Sequence, residues 1–190
     1  NAKIRACQLR HARFSSLRTT KPQEKGSSML HYRTITAADD AALAKIIRTN
    51  LEQLQLDIPG TAYFDPELDH MSQYYAKAPE KRAYFIALDE TEKVVGGVGV
   101  AEFAPIPGCA EVQKLYLADS AKGKGHGKAL MRLAEDWARE AGYAQLYLET
   151  HSNLTTAMRL YEKLGFQEIE KPSTVLHGTM DHFYQKRLSR

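Results

Sequence analysis

Lys122-Gly123-Lys124-Gly125-His126-Gly127-Lys128 is a run in which glycine alternates with basic residues. Its flanks say what it joins. Ahead of it, residues 112–117 are an apolar, strand-like run closed by Ala118-Asp119-Ser120. Behind it, Leu130, Leu133, Ala134, Trp137 and Ala138 recur at three- and four-residue spacing, the pattern of a helix with one apolar face. A strand, a Gly-rich loop and a helix N-terminus together make a main-chain anion site. Glycines let N–H groups approach a phosphate, and the first helical turn adds unpaired donors and a positive dipole end. Lys122, Lys124 and Lys128 add charge. The competing reading is a basic turn that only connects two elements, but three alternate glycines exceed what a turn needs. The loop is not a P-loop, having no Gly-Lys-Ser/Thr at the right offset. Gly-x-Gly-x-Gly is also not the dinucleotide fingerprint spacing.

Working outward, the chain punctuates itself into short elements. Residues 30–35 alternate weakly as a first strand, and Thr36 to Asp39 resembles a capping box with Asp in the Glu position. Leu43, Ile46, Ile47, Leu51 and Leu54 form a helical stripe. Asp65-Pro66 reads as N-cap and first position of a second helix, with Leu68, Met71, Tyr74 and Tyr75 inward. Residues 83–88 are apolar on both faces, a central strand. Further strands are expected at 94–103, 110–117 and 144–150, and closing strands at 166–169 and 178–185. The helix over 125–141 carries a Glu135–Arg139 pair expected to be exposed. Ser152 or Asn153 caps a last helix with Leu154, Ala157, Met158, Tyr161 and Leu164 on one face. The order is β-α-α-β-β-β-α-β-α-β-β.

The 190 residues, 43% hydrophobic and 26% charged, suffice for one sizeable core. The net charge of +3 is unevenly placed: residues 1–28 hold seven Lys/Arg against Glu24 alone, so the remainder is acidic at −3. That body carries no nucleic-acid footprint, and no run reaches membrane-spanning length. The expected division is a basic, disordered segment at 1–28 and a single folded domain over 29–190. The Arg- and Ser-rich segment suits a transit peptide, a basic interaction arm, or a non-native leader ahead of Met29. Cys7 and Cys109 have neither a disulfide framework nor metal-ligand spacing, which fits a reducing cytoplasm.

Leu115-Tyr116-Leu117-Ala118-Asp119 followed by 122–130 resembles the acetyl-coenzyme-A-binding motif of the GNAT family of N-acetyltransferases, Gln/Arg-x-x-Gly-x-Gly/Ala. Lys122 stands where that motif has Gln or Arg; main-chain contacts survive the change, while a bidentate side-chain contact does not. The resemblance covers residues 30–188. It implies the GNAT fold, an α/β (α+β) chain with a mixed central sheet of seven strands and four helices. It also implies acetyl-CoA as cosubstrate, no metal, and transfer to a primary amine of a small molecule or peptide by direct attack. The absence of any evident Cys-His or Ser-His arrangement agrees with direct attack. A non-catalytic acyl-CoA-binding or sensing module on the same fold is the alternative. Family members often dimerise, so a homodimer is an open possibility, although no interface is readable in these residues.

By that resemblance, main-chain groups of Leu115, Tyr116 and Leu117 hold the pantetheine arm. Backbone N–H groups of Lys122, Gly123, Lys124, Gly125, His126, Gly127 and Lys128 hold the diphosphate. Asn153 either contacts the cofactor arm or caps its helix. Tyr161, in Leu160-Tyr161-Glu162-Lys163-Leu164-Gly165-Phe166, matches the family tyrosine near the sulfur; it gives the thiolate a proton, or it is a packed core residue. Glu111, eleven residues ahead of Lys122, is the base candidate, and its rival reading is a carboxylate that only attracts a cation. Glu149 and His151 are alternative bases. Strand periodicity places Glu111, Gln113, Leu115 and Leu117 on one face and Lys114 and Tyr116 on the other. The acceptor pocket is expected between residues 56–64 and a hairpin near 177–182, with Tyr63, Phe64, Tyr74, Tyr75 and Tyr184 as candidate walls or core.

Overall fold

The computed structural model describes residues 31–173, 175 and 178–189; the basic segment 1–28 and His177 lie outside them. Within the described residues the expected order holds. It runs β1 (His31–Thr34), α1 (Asp40–Gln53), α2 (Met71–Ala76), β2 (Ala83–Leu88), β3 (Val94–Glu102) and β4 (Cys109–Leu117), then α3 (His126–Ala141), β5 (Gln145–Thr150), α4 (Thr155–Lys163), β6 (Gln167–Ile169) and β7 (His182–Arg187). The strands form one mixed sheet in the order β1-β2-β3-β4-β5-β7-β6. Only β4 and β5 run parallel; every other neighbouring pair is antiparallel.

Each face of the sheet has its own core. Leu130, Met131, Ala134, Trp137 and Ala138 of α3 and Tyr161 of α4 pack with Phe85, Val98, Val100, Ala110 and Val112. On the opposite face Leu43, Ile47 and Leu51 of α1, with Met71 and Tyr75 of α2, cover Tyr84, Ile86 and Leu88. Every residue of β2 is buried, as a strand apolar on both faces requires. Burial of these side chains contributes about 1.5–3 kcal/mol each against the entropy of ordering the chain.

Local chemistry sets the boundaries. The Asp39 carboxylate accepts from the Thr36 backbone N–H and hydroxyl at 2.8 and 2.7 Å, and Arg33 forks onto its two oxygens. Both ends of α3 are glycines in the left-handed region, Gly125 at φ 82° and Gly142 at φ 90°. Three expectations need correction. The second helix is a 3-10 turn at Leu68–His70 followed by six α residues, and the Asp65 side chain reaches Lys114 instead of capping. Neither Ser152 nor Asn153 caps α4, which starts after Leu154 with no side-chain cap. Glu135 is buried and takes two cations, Arg139 at 3.2 Å and Lys186 at 2.6 Å; period alone could not place β7 beside it.

Candidate functional site

The site begins with an irregularity in β4. Gly97 faces Tyr116 and Gly99 faces Gln113, so two residues, Lys114 and Leu115, oppose the single Val98. Lys114 sits at φ 50°, unusual for a residue with a Cβ. This is a β-bulge, and it reverses the side-chain phase of the strand. Val112, Leu115 and Leu117 all belong to the α3/α4 face. Gln113 instead hydrogen-bonds Tyr75, and Tyr116 packs with the α1/α2 core. The single shared face expected for Glu111, Gln113, Leu115 and Leu117 is therefore wrong beyond residue 113.

The second irregularity is a short pairing. β4 and β5 are registered only over Cys109–Glu111 against Gln145–Tyr147; beyond that the strands diverge. The Ala118 N–H donates to Val95 across the β3 edge at 2.8 Å. Strand alternation then turns the main-chain groups of Leu117 and Leu115 away from β3, into the gap. Asn50 of α1 donates its amide to the Leu117 carbonyl at 3.0 Å and thereby ties α1 to the open edge.

Two cavities occupy the gap. The first, about 510 Å³, is bounded by Leu115, Tyr116 and Leu117, by the loop from Lys122 to Lys128, and by Asn153 to Ala157. It collects every residue expected to touch the cofactor except Lys124. Gly123 and Gly125 both have positive φ, and a Cβ on either meets nothing within 4 Å, so backbone conformation alone demands glycine there. At Gly127 the demand is close approach, because a Cβ would lie 3.2 Å from Leu160 Cδ2. Lys122 Nζ pairs with Asp119 at 2.7 Å. His126 is buried: Nδ1 lies 3.3 Å from the Tyr32 hydroxyl, and Nε2 has no partner among the described residues. Burial, then the charge of Lys124, lowers its pKa. Asn153 donates to the Leu54 carbonyl at 2.8 Å. Asn50, Leu54, Thr155 and Thr156 also line this cavity and carry no sequence signal that singled them out.

The second cavity, about 350 Å³, meets the first at Leu115, Tyr116 and Leu154. Its walls include Leu56, Gly60, Thr61 and Ala62 from the loop after α1, and Met180 from the segment before β7. Those two stretches touch, with Thr179 Oγ1 donating to the Pro59 carbonyl at 3.0 Å. Tyr161 opens onto this cavity from α4 while packing against Phe166 and Tyr184 at 6.0 and 5.9 Å between ring centres. Burial pushes its pKa well above that of a free phenol, so it stays protonated. Glu111 and Glu149 face the same space; His151 does not line it. A polar chain orients Glu111, with Tyr75 donating to Gln113 Oε1 at 3.0 Å and Gln113 Nε2 to Glu111 Oε2 at 2.6 Å. Gly99 makes room for that chain, since a Cβ there would fall 2.1 Å from the Tyr75 oxygen. Of the aromatic candidates, Phe64 is 57% exposed, whereas Tyr75 and Tyr184 are core.

Asp65, Glu67 and Lys114 complete the second cavity, and the sequence reading assigned them no role there. Lys114 Nζ is held by Asp65 and Glu67. Burial opposes its charge, but the two carboxylates outweigh that and raise its pKa above the ordinary lysine value.

Among known proteins, the Acetyltransferase (GNAT) family profile matches residues 49–166. An uncharacterised N-acetyltransferase of Escherichia coli is 38% identical over 143 residues, covering 73% of this chain and 82% of that protein. In the fold, a GNAT-family acetyltransferase from Staphylococcus aureus superposes with a TM-score of 0.74 at 18% identity, over 84% of this chain and 99% of the other. A phosphinothricin acetyltransferase from Sinorhizobium meliloti, solved in complex with acetyl-CoA, superposes with a TM-score of 0.66 at 25% identity, over 85% and 89% of the two chains. No helix among the described residues is long and apolar enough to cross a membrane.

Proposed function

Because the chain belongs to the GNAT family of acetyltransferases, we propose that it carries an acetyl group from acetyl-CoA to a primary amine of a small molecule or peptide. One observation supports this above the others: a cavity bounded at one end by the glycine loop meets, at Leu115, Tyr116 and Leu154, a second cavity holding Glu111 and Tyr161. The residues present fit the cosubstrate. Gly123 and Gly125 leave open space where a side chain would stand, the adjacent helix N-terminus favours anions, and the β4 edge beyond Glu111 is unpaired with β5.

Main-chain N–H groups from Lys122 to Lys128 hold the diphosphate, with Lys124 and Lys128 adding positive charge. Leu115 and Leu117 pair with the pantetheine arm through their main chain, as an added strand would, and Asn153 flanks it. Acetyl-CoA, when bound, supplies the activated thioester. Glu111 takes the proton from the acceptor ammonium, directly or through water, so that nitrogen presents a lone pair. The Tyr161 phenol faces the departing sulfur. Because its pKa is raised, its main contribution is a hydrogen bond that stabilises the thiolate, an alkyl thiol of pKa about 8.5 being the stronger acid.

The test is a structure with coenzyme A together with turnover by two variants. Phosphates seated on residues 122–128, with retained coenzyme A affinity and collapsed turnover in Glu111→Gln and Tyr161→Phe, support the reading. Phosphates settling elsewhere would sink it.

A further inference from the structure

Tyr75 of α2 lines neither cavity, yet the base candidate is tied to it. Its ring is buried and stands between Tyr74 and Tyr84, at 4.9 and 5.2 Å between ring centres. Its hydroxyl donates to Gln113 Oε1 at 3.0 Å. The sheet leaves the space that this hydroxyl fills. Gly99 is the cross-strand partner of both Tyr84 and Gln113, and a Cβ there would overlap the Tyr75 hydroxyl. Gly99 is not one of the glycines with positive φ, so close approach, and not backbone conformation, demands glycine at this position.

An amide can present either end, and both neighbours of Gln113 select the same orientation. An ionised carboxylate only accepts, so Glu111 Oε2, 2.6 Å away, needs the Nε2 end. Tyr75 keeps its proton, because burial raises its pKa, and donates to the oxygen end. We infer that Tyr75 is a positioning residue for the acetyl transfer: acting through Gln113, it fixes the orientation of the Glu111 carboxylate in the second cavity without touching substrate. The inference rests on the reading of Glu111 as the base, and it requires nothing of the other contacts of Glu111. Without the hydroxyl, Gln113 Oε1 loses its partner. The amide is then free to turn, which carries its donor away from Glu111.

Two variants break this lock by different chemistry. Tyr75→Phe removes the hydroxyl and keeps the ring, whereas Gly99→Ala keeps the hydroxyl and displaces it. The direct readout is the Gln113 side-chain amide in a proton–nitrogen correlation spectrum, identified as the pair of signals missing from Gln113→Leu. In the parent protein its two protons should be well separated, with the one bonded to Glu111 downfield, and both variants should collapse that separation. Turnover is followed with acetyl-CoA and n-butylamine. Tyr75→Phe should lower kcat/KM by about tenfold, as loss of one hydrogen bond would give, while Kd for coenzyme A changes by less than about twofold. In a Glu111→Gln background the same substitution should cost nothing further, because the two act as one unit. A Gln113 amide signal in Tyr75→Phe identical to the parent's overturns the inference. So does an equal loss of turnover in both backgrounds, a coenzyme A affinity that falls with it, or parent-like turnover in Tyr75→Phe where Glu111→Gln is impaired. A locked amide with parent-like turnover in Glu111→Gln overturns the base reading instead.

Discussion

Alanine at Gly125 tests the glycine loop against a control built into the same helix. Gly125 precedes α3 at φ 82°, ψ 0°, and Gly142 follows it at φ 90°, ψ 14°. A Cβ at either position meets nothing within 4 Å. Neither substitution therefore creates a clash, and each costs only the left-handed backbone of a residue with a Cβ, about 1–2 kcal/mol. For a chain of this length that is a fall in Tm of about 2–8 °C in both variants. Their effects on coenzyme A should separate. Relief of strain at residue 125 rotates the amides that face the first cavity. Losing one hydrogen bond from those amides to a charged phosphate removes about 1.5–3 kcal/mol, a tenfold or greater rise in Kd. Relief at residue 142 disturbs a C-terminus remote from that cavity, so Kd stays within twofold, about 0.4 kcal/mol. Calorimetric titration of coenzyme A into both variants decides the matter. If Gly125→Ala melts like Gly142→Ala and binds coenzyme A like the parent protein, the loop is a connection and not the anion site.

Tyr161→Phe should lower kcat by about 100-fold or more with coenzyme A affinity unchanged. Because burial raises the phenol pKa, the alkaline limb of the pH–rate profile below pH 9 should be the same in both proteins. Glu111→Gln should lower kcat/KM by a similar factor, and Gln113→Leu, which cuts the chain from Tyr75, should reproduce part of that loss. His126 makes stability depend on pH. Its folded pKa is lowered, so the unfolded chain takes up the proton first, and stability is lost as pH falls through the unfolded value of about 6.5 towards the folded one. Tm should therefore drop between pH 7 and pH 5, and the slope should be shallower in His126→Leu; an unchanged slope removes His126 as its source.

Element order was legible because its signals are local. The 3.6-residue stripe of α3, the apolar run of β2 and the glycines that bracket α3 each fall within one window of sequence. The glycine-loop wall of the first cavity was legible for the same reason, since Lys122 to Lys128 is contiguous, whereas its Asn50, Leu54, Thr155 and Thr156 walls were not. What escaped reading depends on partners distant in the chain. Glu135 looked like one half of a surface pair with Arg139, but Lys186, fifty-one residues on, makes it a buried acid with two cations. Asn153 looked like a cap, but Leu54 takes its amide from ninety-nine residues away.

The bulge at Lys114 is the clearest such case, and it joins the two cavities. A strand read by its period of two keeps Gln113 and Leu115 on one side, and nothing in Gln113-Lys114-Leu115 signals the left-handed backbone that breaks the period. A lysine there is strained by a cost of order 1–3 kcal/mol. That strain is offset from outside the strand: Asp65 and Glu67 hold the ammonium, and the Tyr84 hydroxyl donates to the Lys114 carbonyl at 2.8 Å. Lys114→Gly relieves the backbone but releases the loop that carries Asp65 and Glu67, whereas Lys114→Met keeps both strain and bulk while removing the charge. If the bulge shapes both cavities through its backbone, the glycine variant retains coenzyme A affinity and loses acceptor affinity. The methionine variant should be the less stable of the two, since it leaves two partly buried carboxylates without their cation and keeps the positive φ. A methionine variant as stable as the parent protein would mean that the ion pairs contribute nothing to holding Lys114 in that conformation.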